Sequence, residues 1–445
     1  MNLDTLTGKP RLLIEAQLKP VQSIRFQPTG FPDLGAAEFD DPDGGRMLLV
    51  ESPQSIANHL ERTVFKEFSR DTVSACLADA VAGIPYVDID LGDFGRTNTL
   101  LEAHRLNTAY LWESSDDSAI RVQTEILKDL GVSAKRKKKG DAEDGSSEMN
   151  EVSGVVDMKR FYRTLLKYDP NSLLHGVFLE KVAGRLRLPR AVSGFIEARG
   201  VKPVESGGVK NDHVFPKKDE ASGITSKDGF TNVPFSRTEF LATDIRAYFN
   251  VDLALIRGFG LGKATEDFLI ALALFKIRRF LDEGLRLRSA CDLELCSDWI
   301  CKTPSNFVLP ERKDIEASLP LLIDAVTREE RFAEPLITTV IWNGKRRASQ
   351  KRVILMPMGT STPVIPNELA KTVKWKKGTK SKAPSLEITE ALDADLIETL
   401  CDLFPGNTEA QEAIRGLDHR SGHPRLRRHQ QERGRLGRTG PSARW

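Results

Sequence analysis

The alternation of apolar and polar positions predicts two strands, one over residues 11–24 and a stronger one over 246–256. Side chains on one face of a strand recur at every second position, and both segments keep that period. The apolar positions are Leu12, Ile14, Ala16 and Leu18 in the first strand, and Ala247, Phe249, Val251, Leu253 and Leu255 in the second.

A short apolar run over residues 47–50 predicts a further strand that leads directly into a helix. Ser52 is a typical N-cap and Pro53 a typical first helical residue. A helix that opens with Ser52, Gln54 and Ser55 could bind phosphate through its free N–H groups. The same pattern is also that of an ordinary capped helix packed on a sheet, and the sequence leaves both interpretations open.

The second strand is followed by a glycine-rich loop over residues 257–263 and by a long apolar helix predicted over residues 264–287. The glycines are not spaced as in a dinucleotide-binding loop. The loop also departs from a Walker A loop, because Arg257 and Ala264 stand where that loop has Gly and Ser/Thr. Two interpretations remain, a backbone approach to phosphate flanked by Arg257 and Lys263, or a tight turn.

Strands and helices alternate with inserted loops, which predicts an α+β fold with helices on one face of a sheet. We expect one domain over residues 1–414. It would contain a solvated charged insertion over 133–153 and a projecting hairpin over 201–237.

The net charge of +2 hides an asymmetry between the body and the end of the chain. Residues 415–445 contain nine arginines, no lysine and two acidic residues, so the body is about −5 and the tail about +7. The tail lacks apolar periodicity and is expected to be disordered. It could be a nucleic-acid arm or sequence read out of frame, and we place no function on it.

Composition argues against several function classes. No apolar run is long enough to span a membrane, and residues 1–5 show no signal pattern, which predicts a cytoplasmic protein. Cys291, Cys296 and Cys301 are spaced by five and have no histidine nearby, so we expect no metal site. No histidine lies in a nucleophile motif, and we expect neither a catalytic residue nor a cofactor.

Basic residues concentrate in glycine-rich segments that lack a core pattern, where a loop can follow a phosphate backbone. These segments carry Arg25, the lysines between 202 and 227, Arg257 with Lys263, and the Lys-rich stretch 371–382. Phenylalanines lie among them, at Phe26, Phe31, Phe215 and Phe230. They could stack on bases or anchor the loops inward.

Three segments together are similar to one known family. They are the run from Leu48 to Asn58, the run from Arg187 to Ala198 and the glycine loop from Arg257 to Lys263. The chain resembles the CRISPR-associated backbone subunit (the Cas-seven type of the RAMP superfamily) of the type I-G system, formerly called I-U. The resemblance covers roughly residues 3–403 and leaves out the tail.

The resemblance implies a modified RRM-like (ferredoxin-like) palm with inserted finger and thumb elements, the thumb over about residues 201–237. Copies of such a subunit polymerise along a guide RNA (crRNA) in an antiviral interference complex, which pairs the guide with target DNA and contains other subunits. With the loop cations, the expected RNA-binding residues are Arg25, Ser52, Gln54, Ser55, Asn58, Lys210, Lys217, Lys218, Arg257, Gly258, Gly260, Gly262 and Lys263.

Two other hypotheses belong to different classes of function. An RNA-cleaving member of the superfamily would use a loop carboxylate such as Asp212 or Asp228. A nucleotide-dependent enzyme would use the loop at Gly258, and absence of ATP binding would exclude it.

Overall fold

The computed structural model describes most of the chain up to residue 415. The described residues are 1–31, 35–66, 76–134, 152–153, 156–180, 182, 186–210, 233–343, 352–357, 360–363, 365–366, 369, 373–378, 383–388 and 394–415.

The strands are short, apart from those of the main sheet and of one long hairpin. In chain order they are β1 Leu12–Pro20, β2 Gly30–Phe31, β3 Gly35–Ala36, β4 Glu38–Asp40, β5 Arg46–Glu51, β6 Tyr86–Asp90, β7 Arg96–Asn98, β8 Ser133–Ala134, β9 Val152–Ser153, β10 Val177–Leu179, β11 Leu186–Leu188, β12 Val192–Arg199, β13 Lys202–Lys210, β14 Val233–Leu241, β15 Asp244–Val251, β16 Arg286–Arg288, β17 Cys291–Leu295, β18 Ile300–Thr303, β19 Ile337–Ile341, β20 Arg352–Leu355, β21 Val373–Lys376 and β22 Ser385–Ile388.

The helices include one long central helix, α7. In chain order they are α1 Pro53–Arg62, α2 Ala109–Trp112, α3 Asp117–Leu130, α4 Met158–Tyr168, α5 Asn171–His175, α6 Leu253–Gly258, α7 Lys263–Glu283, α8 Arg312–Arg328, α9 Ala394–Asp402 and α10 Thr408–Arg415.

The main sheet is antiparallel, in the order β16-β17-β1-β15-β12-β5-β4, and β18 also pairs with β1. At its centre β15 lies between β1 and β12, with Val251 opposite both Leu12 and Val192. One face of these strands is buried at every second residue, as the period-two pattern predicts. Helices together with an antiparallel sheet confirm the mixed α and β composition of the predicted fold.

Helices α1 and α7 cover the buried face of the main sheet. The Phe249 ring of β15 meets the Phe280 ring of α7 at 6.2 Å, and the His59 ring of α1 meets Phe280 at 5.5 Å. Gly194 allows this close packing, because a Cβ there would lie 2.6 Å from the Phe249 ring. Residues 268–277 of α7 are all buried, so this helix lies inside the core.

A buried polar cluster lies beneath α1 and consists of Glu61, Arg105, Asn171, His175 and Lys276. Glu61 accepts from Arg105 at 2.5 Å and from Asn171 at 3.2 Å, while the Nζ of Lys276 contacts Asn171 and lies 3.0 Å from His175 Nε2. Burial lowers the pKa of Lys276 to about 7 and holds the pKa of His175 well below its usual value. The cluster therefore joins four separate segments in a place from which water is excluded.

The predicted strand over 246–256 is wrong at its end. The strand stops at Val251, and Asp252 caps a short helix by accepting from the Leu255 N–H at 2.8 Å. The apolar spacing of Leu253 and Leu255 fits a strand or a single helical turn, and the N-cap decides between them. The glycine loop therefore joins α6 to α7 and does not follow a strand.

The chain divides into two compact units. The first is Met1–Glu143 with Ser147–Lys345, and the second is Asp144–Ser146 with Arg346–Trp445. In the second unit, β22 pairs with β20 and β21, and a small core includes Leu386, Leu400 and Phe404. That residues 1–414 form one domain stays a prediction.

Most of the charged insertion over 133–153 lies outside the described residues, which include β8 and β9 at its two ends.

Among the described residues, no helix is both long enough and apolar enough to cross a membrane.

Candidate nucleic-acid interface

The start of α1 forms as the sequence predicts. Ser52 has an extended backbone, and its Oγ accepts from the Ser55 N–H at 3.2 Å, while Pro53 is the first helical residue. Since Pro53 has no N–H, the amide of Gln54 is the first-turn donor that remains for a ligand. The first turn contains no acidic residue, so the positive end of the helix dipole is not neutralised there.

Arg190 adds a cation beside this helix start. Its guanidinium donates to Gln54 Oε1, and within the described residues no carboxylate lies at ion-pair distance from it. Burial and the positive charge of Arg105 lower the pKa of Arg190. An anion at this place would therefore compensate a positive charge that the described part of the protein leaves unpaired.

The backbone links Arg190 to the glycine loop. The Asp252 N–H donates to the carbonyl of Ala191 at 2.7 Å, and Asp252 caps α6, which ends at Gly258. Helix α6 is roughly 9 Å long at 1.5 Å per residue. The start of α1, Arg190 and the glycine loop therefore lie along one end of the main sheet, where β12 begins and β15 ends.

Two of the three glycines of the loop, Gly260 and Gly262, are required by the backbone and not by packing. Gly260 and Gly262 have φ of +63° and +89°, which glycine adopts far more easily than other residues. A Cβ at Gly258 or Gly260 would meet no atom within 4 Å. The space beside the loop is thus open, and Gly262 begins a helix of 21 residues without a side-chain cap.

The two cations that flank the loop differ in their contacts. Arg257 donates to the carbonyl of Lys9 and lies 3.9 Å from Glu266, so it ties the loop to the segment before β1. Lys263 pairs with Asp267 at 2.6 Å, and its side chain remains 57% exposed. Lys263 is therefore the flanking cation that a ligand can reach.

The hairpin expected over 201–237 leaves the opposite end of the main sheet. β13 pairs with β14 over nine residue pairs, from Lys202 with Leu241 to Lys210 with Val233. Most of its side chains are exposed, including Val209 and Phe235. Since β5 runs from Met47, opposite Arg199, to Glu51, the hairpin starts roughly 15–20 Å from the start of α1.

The structure therefore divides the predicted site residues into two groups. The first group lies at the end of the sheet where β12 begins, and Asn58 follows one helical turn after Gln54. This group consists of Ser52, Gln54, Ser55, Asn58 and the loop from Arg257 to Lys263.

Arg25 and Lys210 belong to the hairpin end. Arg25 forms an ion pair at 3.2 Å with buried Glu239 of β14, and Phe26 forms an isolated β-bridge with Phe240. These contacts hold the loop against the base of the hairpin. Lys217, Lys218, Asp212 and Asp228 lie outside the described residues. Arg190 was not predicted as a site residue, although it lies in one of the segments that carry the family resemblance.

The comparison with known protein families agrees with the resemblance seen in the sequence. Residues 12–203, less than half of the chain, match the model of a family described as CRISPR-associated protein GSU0053. This match confirms the resemblance to a CRISPR-associated family, and the I-G subtype stays a prediction. No curated protein sequence matches the chain.

Two solved structures are similar to the chain at low identity. One is a chain of a CRISPR RNA-guided surveillance complex before nicking, with 12% identity, a TM-score of 0.37, and 72% of this chain and 88% of that chain covered. The other is Csc2 of Thermofilum pendens, with 9% identity, a TM-score of 0.25, and 75% of this chain and 79% of that chain covered.

Proposed function

We propose, from the premise that residues 12–203 match a CRISPR-associated family, that this chain is a non-catalytic subunit that binds the backbone of a guide RNA. The observation that carries the proposal is the position of Arg190. Its guanidinium, which has no carboxylate at ion-pair distance among the described residues, lies beside the positive end of α1, and backbone bonds connect it to the glycine loop. These groups recognise phosphate and not base edges, so the binding is independent of sequence.

The geometry also favours a long ligand over a small one. Positive groups follow one end of the sheet, and the β13–β14 hairpin extends from the other. We propose that the main sheet and its helices form a modified RRM-like palm, and that the hairpin is a thumb that reaches a second copy along the same RNA. In this proposal the assembled copies, with the other subunits of a type I-G complex, pair the guide with target DNA.

Purification of the co-expressed complex tests the proposal. The chain would be expressed with a guide RNA and the other subunits of its complex, and its size and its 260/280 nm absorbance ratio would be measured before and after ribonuclease treatment. We expect a large assembly that carries RNA of uniform length and falls apart when the RNA is digested. The matched control is the same expression without the guide.

Two results would contradict the proposal. A monomer free of nucleic acid, obtained with all partners present, would exclude guide binding. A guide whose length changes when Asp212 and Asp228 are both replaced by asparagine would show that the chain cleaves RNA instead of only holding it.

A further inference from the structure

A basic cleft of about 660 Å³ lies between α3, α4 and the segment that follows α8. Five cations line it: Lys128, Arg160, Arg163, Lys167 and Arg331. None of these residues belongs to the interface described above. Their positive charge is local, because the chain before residue 415 has more acidic than basic residues.

Ion pairs neutralise only part of this charge. Lys167 pairs with Asp129 at 2.8 Å, and Arg331 pairs with Glu329 at 3.0 Å. Glu330 is the third acidic residue of the lining. Lys128, Arg160 and Arg163 remain exposed, and within the described part of the chain no carboxylate lies at ion-pair distance from them. With five cations and three acidic residues, the lining of the cleft keeps a net charge of about +2.

The cations of α4 form a row along one face of the helix. Arg160, Arg163 and Lys167 are spaced by three and four residues, so they follow one another over roughly 10 Å. The exposed guanidinium groups can each bind a phosphate by two parallel hydrogen bonds. A row of this kind fits consecutive phosphates of an extended strand better than a single small anion.

The cleft adjoins the glycine loop. A Cβ at Gly262 would lie 3.8 Å from the guanidinium of Arg331 and 4.0 Å from Glu329. The Tyr162 ring of α4 contacts the Phe259 ring of the loop at 4.9 Å between centroids. A strand that leaves the start of α7 would therefore enter the cleft directly.

We propose that this cleft binds phosphate groups of the guide RNA next to those at the glycine loop, with Arg160 and Arg163 as the main contacts. This inference rests on the proposed function. It lengthens the path of the guide from the end of the main sheet onto the face of α4.

The test is the double variant Arg160→Gln/Arg163→Gln in the full chain, with guide-RNA affinity measured over a series of salt concentrations. Losing two phosphate contacts should weaken binding about tenfold or more at 0.1 M salt and reduce the salt slope by about 1.4. The matched control is Arg286→Gln/Lys313→Gln, which removes the same charge from an edge strand and from the start of α8. The control should bind like the wild type.

A second measurement covers the case in which the double variant folds poorly. In the wild-type complex, chemical acetylation of Lys128 should fall when guide RNA is bound, while that of Lys313 should not change. Wild-type affinity and salt slope in a folded double variant, or an unprotected Lys128, would overturn the inference while leaving the proposed function intact. A wild-type chain that binds no guide would overturn both.

Discussion

Replacing Arg105 by methionine should lower the free energy of unfolding by about 3–5 kcal/mol, the usual loss when one partner of a buried ion pair is removed. The side chains of Arg105 and Glu61 are 8% and 7% exposed, and Arg105 Nε lies 2.5 Å from Glu61 Oε1. Without Arg105, the buried carboxyl group of Glu61 would lose its ion-pair partner and keep only the neutral Asn171 as a direct hydrogen-bond partner. Chemical denaturation of the full chain measures the effect.

Two further variants show whether the ion pair is responsible. Arg121→Met changes the same side chain on an exposed position of α3 and should alter stability by less than about 0.5 kcal/mol. The double variant Glu61→Leu/Arg105→Met removes both charges and should recover part of the lost stability. The single variant Glu61→Leu is measured as well, and a double variant whose loss of stability equals the sum of the losses in Arg105→Met and Glu61→Leu would contradict this explanation.

The buried polar cluster around Arg105 also contacts the segment that leads to the proposed site. Arg105 donates to the carbonyl of Gly176 at 3.0 Å, where α5 ends and β10 begins. β10 pairs with β11, and Arg190 lies two residues after the end of β11. We therefore infer that the buried polar cluster holds the segment that positions Arg190 beside α1.

Reversing the charge of Arg190 should have the largest effect on RNA binding. In Arg190→Glu, one phosphate contact is lost and a negative charge is placed beside the start of α1, so we expect guide affinity to fall by about 100-fold at low salt. Arg190→Lys keeps the charge but not the planar guanidinium, and should fall between this variant and the wild type. Binding titrations at several salt concentrations measure both.

The matched control is Arg286→Glu, a charge reversal on a side chain that is 83% exposed at the edge of the main sheet. It should bind nearly as well as the wild type. If both reversals weaken binding equally, the effect comes from the net charge of the protein and not from a site at Arg190.

The sequence predicted the elements whose pattern is local. The alternation along β1 and β15, and the Ser52–Pro53 start of α1, each contain the physical reason for their structure within a few residues. The glycines, prolines and scattered apolar residues of 201–237 predicted a projecting hairpin. β13 and β14 pair over Lys202–Lys210 and Val233–Leu241, while residues 211–232 lie outside the described residues, so the thumb stays a prediction.

The features that depend on distant partners were not predicted. Lys276 of the long helix α7 is fully buried, because Asn171 and His175, a hundred residues earlier, supply its contacts. Arg190 shows no periodicity that marks it as a binding residue. Its role depends on α1, which lies more than a hundred residues before it in the chain.

The central claim is that the start of α1, Arg190 and the glycine loop hold the guide backbone, and an experimental structure of the RNA-loaded complex tests it most directly. We predict guide phosphates within about 3 Å of the Arg190 guanidinium and of the Gln54 amide, with the strand continuing past Gly260 and Gly262. A guide that is bound elsewhere on the chain, with solvent in contact with Arg190 and the glycine loop, would contradict the claim.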